Sequence, residues 1–190
     1  MNPGPWGMVQ TGVPFGEIEA VVQWMHLSDD VDPPPRQHPR RPVHGFSCPR
    51  SEVSGRRFWG LMAQVFGSAE SFFADHYVGN YCPLAFLEDS GKNRTPVALR
   101  SHERRTLFDV CDRHLVAMID ALHPQWLVGV GTFALQRLQA VHSRLEDQNC
   151  TIGVILHPSP ANPHANRGWG ERAAAQLVEL GVWPKERSNR

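Results

Sequence analysis

Three consecutive segments between Trp126 and Leu156 constrain this chain most. Trp126-Leu127-Val128-Gly129-Val130 is apolar at both parities, the pattern of a short strand buried on its two faces. Gly131-Thr132 then opens a helix that turns Ala134, Leu138, Val141 and Leu145 inward, and Thr151 to Leu156 repeats the buried-strand pattern. Strands separated by a helix pair in parallel, so the fold expected is α/β, a three-layer α/β/α sandwich on a short, mostly parallel sheet.

Upstream, Ile18, Val21, Val22 and Met25 predict a short helix, and Ser51 to Phe66 a longer one with Phe58, Leu61, Met62, Val65 and Phe66 buried and Gly67 as its cap. Ser71 to Asp75 reads as a further short helix, His76 to Gly79 as a third strand, and Glu88 to Arg94 as a polar turn. Thr95-Pro96 is a helix start, followed by the apolar line Leu107, Cys111, Leu115, Met118, Leu122 and ended by Pro124. A last helix carries Ala174, Leu177 and Val178. Residues 1–184 are expected to form a single domain, with 185–190 a basic tail. A strand would normally lead into Asn2, so the sheet reads as lacking its first strand.

The 190 residues carry 19 basic and 19 acidic side chains, a balance that argues against a general polyanion binder. The distribution is uneven: Arg36, Arg40, Arg41, Arg50, Arg56 and Arg57 fall in one segment with the single acid Glu52. The overlapping stretch from Asp29 to Arg50 is rich in proline (Pro33, Pro34, Pro35, Pro39, Pro42, Pro49), and so long a coil is uncommon unless it binds something or is loosely held. Cys48, Cys82, Cys111 and Cys150 show no CxxC spacing, so they read as reduced, mostly buried thiols. No HExxH or GxSxG occurs, and Gly129-Val130-Gly131 lacks the third glycine of a dinucleotide fingerprint. Asp109, Asp112 and Asp120 read as solvated charges on a helix face. No metal and no cofactor is expected. No apolar run reaches membrane-spanning length.

The candidate chemistry lies at strand ends. Asn2-Pro3, Asn80 with Pro83 behind it, and His157-Pro158 each put a polar residue before a stiff proline turn. In a parallel sheet such ends meet at one edge, where open α/β folds bind ligands. A carboxamide offers a donor and an acceptor in fixed geometry and so can read a base edge, while a ring such as Phe15 can stack on a flipped base. Each Asn taken alone is as readily a turn former.

The segment Met1-Asn2-Pro3-Gly4-Pro5-Trp6-Gly7-Met8-Val9-Gln10-Thr11-Gly12-Val13-Pro14-Phe15-Gly16-Glu17 resembles the first motif of the single-strand-selective monofunctional uracil-DNA glycosylases. Their second motif is similar to His157-Pro158-Ser159-Pro160 with Asn162-Pro163, Ala165-Asn166 and Gly168-Trp169. His44-Gly45, Ser51-Glu52-Val53-Ser54-Gly55, Arg57-Phe58-Trp59-Gly60 and Asn80-Tyr81-Cys82-Pro83-Leu84 fit between them. The likeness runs through essentially the whole chain in order.

The resemblance implies a DNA-repair enzyme that flips out uracil, and some 5-substituted uracils such as 5-hydroxymethyluracil, and hydrolyses the N-glycosidic bond to leave an abasic site. By position, Asn2 would orient the water and His157 would stabilise the charge on the departing base. Asn80 would pair with uracil N3–H and O4, Phe15 would stack, and Gly4 and Met8 would border C5. Ser159, Pro160, Ala161, Asn162 and Arg167 would contact DNA as the loop wedges into the duplex. The partners implied are single- and double-stranded DNA containing uracil, with no membrane, and a monomer acting inside the cell where the DNA lies. Two departures temper this. Only Met1 precedes Asn2, which predicts weak activity for a chain beginning there, or a catalytically impaired base- or DNA-binding homologue. Ala161 stands where family members often carry Arg, which predicts a weaker hold on duplex DNA than an Ala161→Arg variant would show.

Overall fold

The computed structural model describes residues 1–29 and 31–184. The unit read from the sequence is present: β3 (Trp126–Val130) lies parallel to β4 (Thr151–Ile155), with Leu127 opposite Ile152 and Val130 opposite Ile155. The crossover between them is α5 (Thr132–His142). Strand alternation sends side chains to two separate cores. Val128, Val130 and Ile155 pack with α2 (Val53–Phe66), α3 (Ala69–Phe73) and α6 (Trp169–Glu179). On the other face Leu127 and Ile152 pack with α5 and the long α4 (Ser101–Leu122). The result is the expected three-layer α/β/α arrangement.

The first core is dense in rings. Phe58, Trp59, Phe72 and Trp169 are all buried, and Trp59 meets Phe72 edge-on at 5.8 Å. The second is held partly by polar contacts. Asp112 accepts from the Tyr81 hydroxyl (2.8 Å) and is paired with Arg137, whose guanidinium also lies 4.8 Å from the Phe108 ring. Asp112 is only 6% exposed, so its reading as a solvated charge is corrected: it sits four residues after Phe108 and three before Leu115, on the face α4 buries.

Five other local expectations shift. His76–Gly79 forms no strand: no ladder pairs it, and Tyr77 is 62% exposed. Glu88–Arg94 is a small hairpin, β1 (Phe86–Leu87) against β2 (Asn93–Arg94). Thr95-Pro96 starts a 3-10 turn, Pro96–Ala98, and α4 begins at Ser101, where Glu103 Oε2 accepts the Arg100 N–H at 3.1 Å. Leu122, at the end of α4, is 49% exposed and Ile119 takes its place in the core. The helix expected around Ile18–Met25 includes a π turn at Ala20–Trp24, with Val21 fully buried. The expected tail, 185–190, lies outside the described residues. Among the described residues no helix is long and apolar enough to cross a membrane.

Candidate active site

β4 delivers His157 to the carboxyl edge of the sheet, and β3 ends beside it. Gly131, just past β3, donates its N–H to the Ile155 carbonyl (2.9 Å). It has φ +88°, and a Cβ there would come within 2.9 Å of His157 Cβ, so the close approach of the two strand ends demands glycine. His157 is half-buried. Burial first, and then the positive Met1 α-amine, lower its pKa to about 4, so the imidazole is neutral at physiological pH. Its Nδ1 accepts the Ser159 N–H at 3.1 Å, which places the proton of the neutral ring on Nε2. The sheet edge therefore presents a fixed, uncharged N–H donor.

Phe15 stands against that ring, centroids 5.8 Å apart. It occupies the left-handed region (φ 53°), a cost for a bulky residue that its surroundings offset. Phe15 stacks on Phe58 of α2 at 4.8 Å, Trp59 Nε1 donates to the Pro14 carbonyl (3.1 Å), and Thr11 Oγ1 donates to the Gly16 carbonyl (3.0 Å). The loop that starts the chain is pinned as well. Gln10, fully buried, donates to the Pro5 and Pro42 carbonyls and accepts the His44 N–H.

Asn80 reaches the same neighbourhood without a strand to carry it. Its Nδ2 donates to Met8 Sδ at 2.8 Å, and two residues on the Cys82 N–H donates to the Met1 carbonyl at 2.9 Å. Since Met1 also acts electrostatically on His157, the first residue links the Asn80 and His157 sides. Asn2 is turned elsewhere: its Nδ2 donates to Asn93 Oδ1 (3.3 Å) and the Arg94 carbonyl (3.2 Å) on β2. The structure thus pairs Phe15 with His157 and Met8 with Asn80, links the two pairs through Met1, and ties Asn2 to the hairpin. Glu52, at the N-terminus of α2, packs against the first loop. A Cβ on Gly4 or on Gly7 would overlap its carboxyl oxygens. Burial first, then the Glu17 carboxylate, push the Glu52 carboxyl up to about 7. As the lone acid among arginines, it gives no sequence sign of being buried.

After His157 the loop braces itself. Ala161 N–H donates to Ser159 Oγ, His164 N–H to Asn162 Oδ1, and Asn166 Nδ2 to the Pro160 carbonyl. Arg57 of α2 ties it down, donating to the Pro158 carbonyl (2.9 Å) and to Asn166 Oδ1 (3.0 Å). Pro160, Ala161 and Arg167 are exposed, while Ser159 and Asn162 are half-buried. Beside the loop a groove of about 320 Å³ is lined by Arg56, Arg57, Asn166, Gly168 and Gly170. Among the described residues no cluster of His, Cys, Asp or Glu has the geometry of a metal site.

The carboxyl edge of the parallel sheet, where open α/β folds bind ligands, thus presents a neutral imidazole donor beside an aromatic ring. Comparison with known proteins gives the family. The family model of the uracil DNA glycosylase superfamily matches residues 1–179, and the chain belongs to that superfamily. It is 46% identical over 184 residues to the single-strand selective monofunctional uracil-DNA glycosylase of Rattus norvegicus, covering 97% of this chain and 66% of the rat protein. With the Bos taurus protein of the same description identity is 47%, covering 97% and 67%. The chain thus spans about two thirds of the length of these relatives. The crystal structure of wild-type Pedobacter heparinus SMUG2 shares the fold, with a TM-score of 0.69 over 96% of this chain and 72% of that one, at 16% identity.

Proposed function

We propose that this chain is a monofunctional uracil-DNA glycosylase: it takes uracil, and some 5-substituted uracils such as 5-hydroxymethyluracil, out of the DNA stack and hydrolyses the N-glycosidic bond. The observation that carries this reading is the His157 imidazole, neutral and held with its donor on Nε2 at the sheet edge against Phe15. As the bond from C1′ to N1 breaks, its electron pair goes to the base, and the negative charge spreads to O2. An Nε2–H donor aimed at O2 stabilises that charge as it develops, and a neutral donor does so without giving up its proton. Water then adds to the oxocarbenium carbon and its proton passes, through solvent, to the departing uracil anion, leaving the abasic sugar and neutral uracil. The similarity to the rat and bovine glycosylases over 97% of this chain supports the same reading.

Asn2 orients the water. With Nδ2 anchored on Asn93 and Arg94, its Oδ1 is the atom left to accept from it. Asn80 reads the base: Oδ1 accepts N3–H and Nδ2 exchanges the weak Met8 thioether acceptor for O4. Cytosine, with donor and acceptor reversed at these atoms, is refused. Phe15 stacks on the ring, and Gly4 and Met8 border C5. Ser159, Pro160, Ala161 and Asn162 form the wedge, with a weaker hold on duplex DNA than an arginine at Ala161 would give. Arg167, Arg57 and the groove beside them take the phosphates. The working form in this reading is a monomer of residues 1–184, with the basic tail appended, acting on DNA inside the cell.

Incubating the protein with a single-stranded oligonucleotide containing uracil, then cleaving abasic sites with alkali, tests this. His157→Ala is expected to lower the single-turnover rate by about 10²–10³-fold, the loss of one charge-stabilising donor. Absence of cleavage by the unaltered protein, or an undiminished rate in the variant, would refute the reading.

A further inference from the structure

We propose that Trp6, with Arg41 and Arg50 against its ring, forms a second phosphate-binding patch, which holds the DNA single strand on the hairpin side of the site. The inference rests on the glycosylase reading above and gives that enzyme a DNA contact apart from the His157 loop and its groove.

Trp6 lies on the first loop, between Asn2 and Met8. The Arg41 guanidinium stands 4.8 Å from the centre of its ring, and that of Arg50 4.7 Å. An aromatic face attracts a cation, so the indole accounts for either arginine alone. It does not account for both, since like charges gathered on one ring repel each other. Among the described residues neither arginine forms an ion pair with a carboxylate: the pairs are Glu88–Arg94, Asp112–Arg137 and Asp112–Arg144. The folded chain thus carries a local cost that an anion lying alongside removes.

The patch is also built in advance. Arg41 Nε donates to the Gly91 carbonyl (2.8 Å) and Nη1 to the Arg40 carbonyl (3.1 Å), which leaves Nη2 without a hydrogen bond among the described residues. The turn that carries it is closed by a bridge between His38 and Arg41 and sits directly on Gly91, where a Cβ would come within 3.1 Å of Arg40 Cβ. Gly91 lies in the connection from β1 to β2, and β2 anchors Asn2 through Asn93 and Arg94. Arg50 is exposed, and among the described residues only its carbonyl takes part in a hydrogen bond, so the whole guanidinium fork is free.

Charge and placement choose the ligand. Guanidinium groups match phosphate oxygens, and two fixed charges side by side suit successive phosphodiesters better than one small anion. Arg57 and its groove attach to the loop after His157, whereas Arg41 attaches to the hairpin that anchors Asn2. In the proposed binding mode a strand whose flipped nucleotide is held by Asn2 and His157 meets positive charge on both sides. Contacts to one backbone need no second strand, so the patch serves unpaired DNA. It also gives the basic, proline-rich coil a ligand.

The test measures binding of a single-stranded oligonucleotide that carries 2′-fluoro-2′-deoxyuridine. The fluorine opposes formation of the oxocarbenium ion, so the base stays in place while fluorescence anisotropy is read across a series of NaCl concentrations. Each phosphate contact on a single strand adds about 0.7 to the slope of log Kd against log salt. Arg41→Gln combined with Arg50→Gln is expected to make that slope shallower by about 1.4, and Arg50→Gln alone by about 0.7. Arg50→Lys, which keeps a point charge, is expected to restore it. An unchanged slope in the double variant, or a loss that Arg50→Lys does not repair, overturns the proposal. Should loss of Arg41 loosen the hairpin, Arg50→Gln and Arg50→Lys answer alone. A scan of uncharged methylphosphonate links then places the contact. At one or two links neutralisation is expected to weaken the unaltered protein severalfold and the double variant not at all. Equal weakening of both proteins at every link overturns the proposal. Failure of the unaltered protein to release uracil from an ordinary strand would remove the glycosylase reading, while the salt slope would still decide on the patch.

Discussion

His157 and Glu52 are displaced by one cause, loss of water, in opposite directions along the pH scale. His157 is lowered to about 4 from 6.5, so between those values the unfolded chain holds a proton that the folded chain lacks. Stability is full above pH 6.5 and declines as pH falls through 4. Glu52 is raised from 4.5 to about 7, so the folded chain is the one that holds the extra proton. Its contribution is full below pH 4.5 and is lost as pH rises through 7. Raising pH from 6.5 to 8, where His157 no longer titrates, is therefore expected to destabilise the protein by about 0.5–1 kcal/mol through Glu52, about 1–4 °C in Tm. Glu52→Gln should flatten that limb. A Tm that follows the unaltered protein's pH dependence in the Gln variant would show that Glu52 is not its source. Neither shift could be seen in the sequence, because burial of Glu52 depends on Gly4 and Gly7, about fifty residues away in the chain. His157 was legible, since a run of β-branched residues delivers it and a proline stops the strand directly behind it.

Legibility at the level of elements follows how local the driving forces are. β3 is found where its own apolar run predicts it, and β4 ends one residue earlier than read. The core stripe of α2 was likewise written in its spacing. His76–Gly79 has strand-like residues, but a strand exists only where a neighbour supplies hydrogen bonds, and that is not a property of the segment. The hydroxyl and proline of Thr95-Pro96 were a true start signal spent on a 3-10 turn, after which Glu103 caps α4. The tie between α2 and the loop after His157 was invisible, since Arg57 and Asn166 lie 109 positions apart. Removing it has a defined effect. Arg57→Met is expected to cost about 1–3 kcal/mol, the worth of charge-assisted bonds, and to lower uracil release from duplex about tenfold while changing the single-strand rate much less. Opening a stacked duplex needs a stiff loop, whereas an unpaired base does not. Equal rates on both substrates would dismiss the brace.

The whole molecule divides its tasks between its two cores. The aromatic core under α2 and α6 supports Phe15 and the loop after His157, while the core under α4 and α5 contains the Asp112–Arg137–Tyr81 network and touches the site through Tyr81, next to Asn80. Asp112→Ala strands a partly buried guanidinium and is expected to lower the unfolding free energy by about 2–4 kcal/mol in denaturant titration. The folded fraction should cleave uracil at its usual rate well below the melting temperature. A loss under about 1 kcal/mol would show that water reaches Arg137. The fold class was readable because it follows from the order of the segments. The division of labour was not, because it depends on which face of the sheet each helix covers. One consequence attaches to the first two turns of α2. Glu52, Arg57 and Phe58 touch three different loops, and their angular offsets are fixed by a single screw axis. An inserted or deleted residue between positions 52 and 57 would swing one partner about 100° away from the other two. This stretch should therefore be intolerant of length variation even where its individual side chains can be exchanged.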